Sequence, residues 1–389
     1  MLLCTGLSRA GDSPPLDLRG ASIPVQPEHA WQRFGGDLVR GFYNMYQPCV
    51  VEVPGSEYPY RMWFFGWAAG ESNPDVPGSD AIFHARSRDL EHWEIYAGEG
   101  GWDPGMSPEH WRPVVTASDT YHDSCHNGDP SVVYRDGRFY MAYSASSPPG
   151  HREGPDLGEA VMLCSIMGAT SDDGIHWTKT AQPLLIESEA AQAAHDISDH
   201  HVNFLRPSLH WQDGRWRMWF DYLPRGLRSV SMGCAENTDA FDAPGGFRPV
   251  HDLDRPLIIS WVNPDVVRHE GRYYAFGDPP GFPGRTGWQA RAVCEAVSDN
   301  GMDWRVVGFI TPDADAAACH VPQALVAERD GLPWLFLFYA TQRGGTETFG
   351  VYDFRYDRIR ARRRPLVNPS TDLPDEPARS GAVPPREAP

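Results

Sequence analysis

No apolar run in this chain approaches the roughly 20 residues that a bilayer-spanning helix needs. Basic residues are in deficit, and the formal net charge is −18. A nucleic-acid partner calls for a basic face, so none is expected, and an anionic membrane surface is disfavoured for the same reason. The opening MLLCTGLSRAGDS has neither a basic n-region nor a full apolar h-region. No signal peptide is therefore expected, and a cytoplasmic location is. Cysteine occurs seven times, at Cys4, Cys49, Cys125, Cys164, Cys234, Cys294 and Cys319, with no CxxC pair. That odd, scattered set predicts free thiols in a reducing compartment. Helical periodicity is nearly missing too.

What is there is repetition. Aromatics make up 12% of the chain, with 14 Trp. The stretch His126 to Ser146, HNGDPSVVYRDGRFYMAYSAS, reads as a polar segment ending in Asp129-Pro130, then a strand, an Arg135-Asp136-Gly137 turn and a second strand. This is a β-hairpin with a carboxylate at its entrance. Variants of it begin at Gln47-Pro48, Arg206-Pro207, Asn263-Pro264 and His320-Val321-Pro322. A third strand follows each, such as IFHARS, CSIMGATS or, in the fifth repeat, TFGVYDF with a last strand from Arg358. Three of the repeats close with an S-x-D-G-x-x-W type turn before Trp93, Trp177 and Trp304. The turn and its Trp are read as structural, the Trp packing between repeats.

Five units of four antiparallel strands predict an all-β, five-bladed β-propeller. The expected boundaries are a lead-in over 1–40, the propeller over 41–360 and a disordered Pro/Arg-rich tail over 361–389.

The propeller places the site before any motif does. The innermost strand of a blade comes first, so the residues entering it ring the axis on one face: Gln47, Asp129, Arg206, Asn263 and His320. Loops between second and third strands return to that face. Carboxylates facing one another across a pocket suit acid/base chemistry, and aromatic rings beside them suit sugars. Asp129 is the first candidate for a general base and His320 for an acid. Asp278, at the end of a second strand, and Asp265, inside a first strand, compete for a supporting role. Arg206 fits an ion pair with Asp129 or an anionic substrate group. Trp67, Trp261 and Trp288 are candidate sugar platforms. Gln47, Glu71, His122, Asp123, His126, His200, His201 and Asn263 complete the candidate substrate-binding rim. No cofactor is expected. A His-rich axis leaves an axial divalent metal ion open, though the spacings match no closed zinc site.

The five repeats, the D-P-S at an inner strand and the S-x-D-G-x-x-W strand ends resemble the five-bladed glycosidases of glycoside hydrolase families 32, 43, 117 and 130, over about Gln47 to Arg360. In families 32 and 43 the resemblance implies two Asp and a Glu converging from separate blades. This chain departs from that, with Gln47 at the first entrance and no Glu at any. Family 117, with an Asp base, a second Asp and a His acid, is the nearer pattern: Asp129 would match the base, Asp278 or Asp265 the second Asp, and His320 the acid. The implied activity is hydrolysis of an oligosaccharide with inversion. A family 130-like phosphorylase and a non-catalytic sugar-binding propeller are the alternatives, and homo-oligomerisation is left open.

Overall fold

Each Asp-Gly or Glu-Gly pair between two alternating runs closes a hairpin. Asp136 and Gly137 have φ of 52° and 81°, the two left-handed residues that a two-residue turn needs to match strand twist. Asp213-Gly214, Glu270-Gly271 and Asp330-Gly331 repeat the device. The computed structural model describes residues 14–41, 43–67, 81–118, 120–147, 162–187, 201–343 and 356–366. Among them the only helical turns are 3-10 segments of three or four residues.

Five sheets result. Blade one holds Tyr43–Glu52, Tyr60–Trp67, Ala81–Ser87 and Trp93–Gly98, with Gly101–Asp103 at its rim. Blade two holds His126–Arg135, Arg138–Ser146, Met162–Ser171 and Thr178–Lys179. Blade three holds Leu205–Gln212, Arg215–Tyr222 and Ser231–Asn237. Its edge is made of short pieces, Arg248–Pro249 and Ile258–Ile259, with Leu16–Asp17 running parallel to the latter. Blade four holds Asp265–His269, Arg272–Gly277, Cys294–Ser298 and Arg305–Phe309.

Blade five differs from the sequence expectation. Its third strand is Tyr356–Pro365, paired directly with Leu332–Arg343. Its fourth is Gln32–Arg40 from the lead-in, antiparallel to Tyr356–Pro365. The lead-in thus contributes a strand, and the tail expected from residue 361 begins inside one, with Ala361 fully buried. The TFGVYDF segment and residues 367–389 lie outside the described residues.

The apolar core is divided among the blade interfaces. One cluster joins Phe64 and Phe83 to Phe336, Phe338 and Phe34, between blades one and five. Others join blades one and two through Trp63 and Met141, two and three through Ile166 and Met218, three and four through Trp219 and Tyr273, and four and five through Phe276 and Leu337. A blade buries both faces only against its neighbours, which is what makes the ring one cooperative unit. The closing turns act at the same seams. Ser171 Oγ and Asp173 Oδ1 accept backbone N–H bonds of 2.8 Å, and the Gly174 carbonyl accepts from both Trp177 and Trp63 of blade one, each at 3.0 Å.

Candidate active site

Each first strand is entered through a residue with a left-handed backbone that precedes a proline: Gln47 (φ 49°), Asp129 (50°), Arg206 (52°), Asn263 (53°) and Val321 (53°). The ladder slips at the same point, between Tyr46/Cys49, Gly128/Ser131, Leu205/Ser208 and His320/Gln323. These are bulges, which re-aim a side chain out of the pleat. By this register the blade-five counterpart of Asp129 is Val321. His320 falls one residue earlier, at the place that Gly128 holds in blade two.

Two residues past each bulge comes a ring of bonds between blades. Cys49 Sγ accepts from Val132 N at 3.1 Å, Ser131 Oγ from Leu209 N at 2.8 Å and Ser208 Oγ from Val266 N at 2.9 Å. Asp265 Oδ2 accepts from Ala324 N at 2.7 Å, and Gln323 Oε1 from Val50 N at 3.0 Å, which closes the circle. Asp265 is therefore one of five equivalent blade fasteners. Its other oxygen accepts from the Ser208 hydroxyl at 3.0 Å, so the contacts it makes are those of an inter-blade fastener.

A second set of bonds links the ends of second strands to the next entrance. Ser144 Oγ accepts from Arg206 N at 2.7 Å, Asp221 Oδ2 from Asn263 N at 2.9 Å and Asp278 Oδ2 from Val321 N at 3.2 Å. Two entrance side chains also reach back within their own blades. Arg206 Nη1 lies 3.1 and 3.2 Å from the two oxygens of Asp221, and Asn263 Nδ2 2.8 and 2.9 Å from those of Asp278. Arg291 adds 2.6 Å to Asp278 Oδ1, and its carbonyl lies 2.8 Å from His320 Nε2. Tyr356 bonds His320 Nδ1. A polar rail thus runs from Asp129 through blades two, three and four to blade five. Asp278 is a fully engaged support on it. His320 is fully buried, and burial pushes its pKa down to about 4. At neutral pH it is a neutral ring fixed from both sides, unlike the protonated acid that the resemblance implied.

The rail's open end is Asp129. It is buried, and its Oδ1 has no hydrogen-bond partner. Burial alone would raise its pKa, but the His126 ring beside it and the Arg206 charge outweigh that and hold it below the usual carboxylate value. His126 Nε2 lies 3.8 Å from Asp129 Oδ2. Asp221 goes the other way. Burial lifts it to about 6, although Arg206 and the Asn263 N–H oppose the rise. Two carboxylates that share one guanidinium are driven apart in pKa, the usual mark of an acid/base division of labour. Blade one supplies an apolar wall beside them. Tyr46 packs on Phe65 at 4.5 Å, and Phe65 on His126 at 5.3 Å. Gly128 permits this, because a Cβ there would lie 2.6 Å from Phe65 and 2.8 Å from His126.

Other sequence candidates fall elsewhere. Gln47 is buried at its entrance, with Oε1 unpartnered. Asp123 is fully buried in a knot with Tyr143 OH at 3.0 Å and Lys179 Nζ at 2.5 Å. Trp261 is fully buried in the core between blades three and four and offers no sugar platform. His122 is half-buried against Tyr121. Glu71 and His200, and the side chains of Trp67, His201 and Trp288, lie outside the described residues. Among the described residues no group of three His, Cys, Asp or Glu is arranged to hold a metal ion. Asp221 and Tyr46 were missed in the sequence. A lone Asp inside the apolar run RWRMWFDY was the available signal for the first, because a buried carboxylate requires a partner.

No protein-family profile matches the sequence, and no curated protein does. Solved structures do resemble the fold. A thermostable family-43 glycoside hydrolase superposes with a TM-score of 0.55 at 15% identity, over 91% of this chain and 100% of that one. A family 117 glycoside hydrolase from the marine bacterium Zobellia galactanivorans gives 0.54 at 14% identity, over 87% and 91%. A family 32 β-fructofuranosidase from Bombyx mori gives 0.52 at 12% identity, over 85% of this chain and 61% of that one. This chain has the five-bladed propeller of these glycoside hydrolases. At such identities the likeness is one of fold, and family 117 does not stand apart from family 43 within it.

Proposed function

We propose that this propeller hydrolyses a glycosidic bond in an oligosaccharide, with inversion, at the axial end of the rail beside the blade-one wall. Asp129 is the general base. It takes a proton from the water that attacks the anomeric carbon, while Asp221 gives its proton to the departing oxygen. An inverting pair leaves roughly 6.5–9.5 Å between carboxyl groups for that water. His126 and Arg206 keep Asp129 ionised, and Asp278, Asn263 and His320 hold the rail in place. The observation that carries the reading is Asp129 itself: a buried, ionised carboxylate with one oxygen unpartnered, beside a carboxyl of raised pKa and an aromatic wall.

A second reading, a sugar-binding propeller without turnover, draws on a different observation. Of the five equivalent entrances only Asp129 carries a carboxylate. Product release from an oligosaccharide and aryl-glycoside panel separates the two, measured with and without phosphate for the wild type and Asp129→Asn. Phosphate-independent release that Asp129→Asn abolishes supports hydrolysis, and the anomer first seen by NMR reports inversion. Release that depends on phosphate indicates a phosphorylase. Binding without release, unchanged in Asp129→Asn, favours the non-catalytic reading.

A further inference from the structure

The far face of the propeller carries a cleft that the axial chemistry does not use. It lies between blades two and three, where the hairpin turn after Arg135 meets the one after Trp211, and encloses about 290 Å³. Its floor is aromatic. Tyr140 and Trp211 each pack on Trp216, at 4.9 and 5.0 Å, and Phe241 on Trp216 at 5.1 Å. Trp216 and Phe241 are core residues, but Tyr140 and Trp211 keep part of their surface in solvent. Arg135 lies 3.8 Å above the Trp211 ring, and Arg138 is braced by Thr170 Oγ1 at 2.8 Å. Asp239 and Asp242, both exposed, complete the lining.

Core packing explains the buried half of this floor. It does not explain an open cleft with half-exposed aromatic rings, guanidinium donors and carboxylate acceptors around one space. That combination fits a sugar, whose C–H face stacks on rings while its hydroxyls both donate and accept. Arg135 is also paired with Asp136 at 2.9 Å and Arg138 with Asp172 at 3.6 Å, so the cleft presents no surplus of cations, which suits a neutral sugar over an anionic one. Arg135 lies six residues beyond Asp129 on one strand, about 20 Å away at the rise of a strand, so a ligand here does not touch the axial carboxylates.

We propose that this cleft is a second, non-catalytic carbohydrate site that takes one neutral sugar unit. The class of ligand rests on the reading of the axis as a glycosidase site. A second contact to a longer glycan would raise the effective concentration of its bonds at the axis.

The test uses full-length protein in the Asp129→Asn background. Neutral gluco-, galacto-, fructo-, xylo- and arabino-trisaccharides are titrated by calorimetry and by saturation-transfer NMR. At least one is expected to show a binding class that Trp211→Ala and the surface variant Arg138→Ala each weaken tenfold or more. Trp211→Ala in the otherwise native chain should leave turnover of a small aryl glycoside unchanged. No binding class sensitive to either substitution overturns the proposal. Turnover without cleft binding removes this inference and leaves the hydrolase reading intact; cleft binding without turnover does the reverse.

Discussion

Arg206 acts on two carboxylates at once, and their opposite shifts set a pH window. Asp129 sits below the usual carboxylate value and Asp221 at about 6. If Asp129 must be ionised and Asp221 protonated, the acid limb of kcat/KM lies below the usual carboxylate range and the rate falls as pH climbs through about 6. Asp221→Asn should remove the upper limb together with most of the activity. Arg206→Met takes away the cation that favours both ionised forms, so both limbs should move to higher pH. A profile whose upper limb stays put in Arg206→Met would sink the assignment of that limb to Asp221. Asp129→Asn keeps the shape but cannot accept the water's proton, and a loss of about 10²–10⁴ in kcat is expected. Steady-state rates across pH 3–9 check all three.

At the scale of strands, the ring of inter-blade bonds makes a prediction about stability. Four of its acceptors are neutral side chains and one is Asp265, which burial raises to about 7. The folded chain therefore keeps this proton where the unfolded chain has released it. The contribution is favourable at low pH and is lost as pH rises from the unfolded value towards about 7. Asn keeps the acceptor for Ala324 N without the charge. Asp265→Asn should gain on the wild type by on the order of 1–3 kcal/mol between pH 5 and pH 8, read from urea unfolding at each pH. Equal gains at both pH values would show that the carboxyl does not titrate there. The ring also shows what the sequence could reveal. The X-Pro recurrence and the Asp-Gly turns were legible, because both answer to backbone geometry, and they located the blades. The fasteners were not, because Cys49, Ser131, Ser208, Asp265 and Gln323 share a position but no side-chain type. Asp265 therefore looked like a site residue, and His320 was taken for an entrance although Pro322 marks Val321 as the equivalent.

For the whole molecule the decisive event is closure, and it is the part of the fold least visible in the sequence. The strand Gln32–Arg40 pairs with a partner more than 300 residues away, and the ladder shifts between Phe34 and Val39 around its two glycines. Neither alternation nor the repeat period marks it. Its hold on the ring has two components. Phe34 is buried edge-on to Phe336 at 5.0 Å, beside the buried Leu38 and Val39. Asp37 bonds Arg360 Nε at 2.7 Å and Arg358 Nη1 at 3.1 Å. These two components should contribute unequally. Arg360 is also paired with Asp313 and Asp315, so Asp37→Asn leaves no uncompensated buried charge and should cost only about 1 kcal/mol. Phe34→Ala opens a cavity in the interface between blades five and one and should cost about 3–5 kcal/mol. A chain begun at residue 42 exposes the edge of Tyr356–Pro365 and that apolar interface together, and should aggregate or unfold at a markedly lower temperature. Adding residues 14–41 back as a separate peptide should restore part of the loss, because the strand closes the ring by ordinary sheet pairing. If the shortened chain melts as the full one does, closure by this strand is not what holds the five blades together.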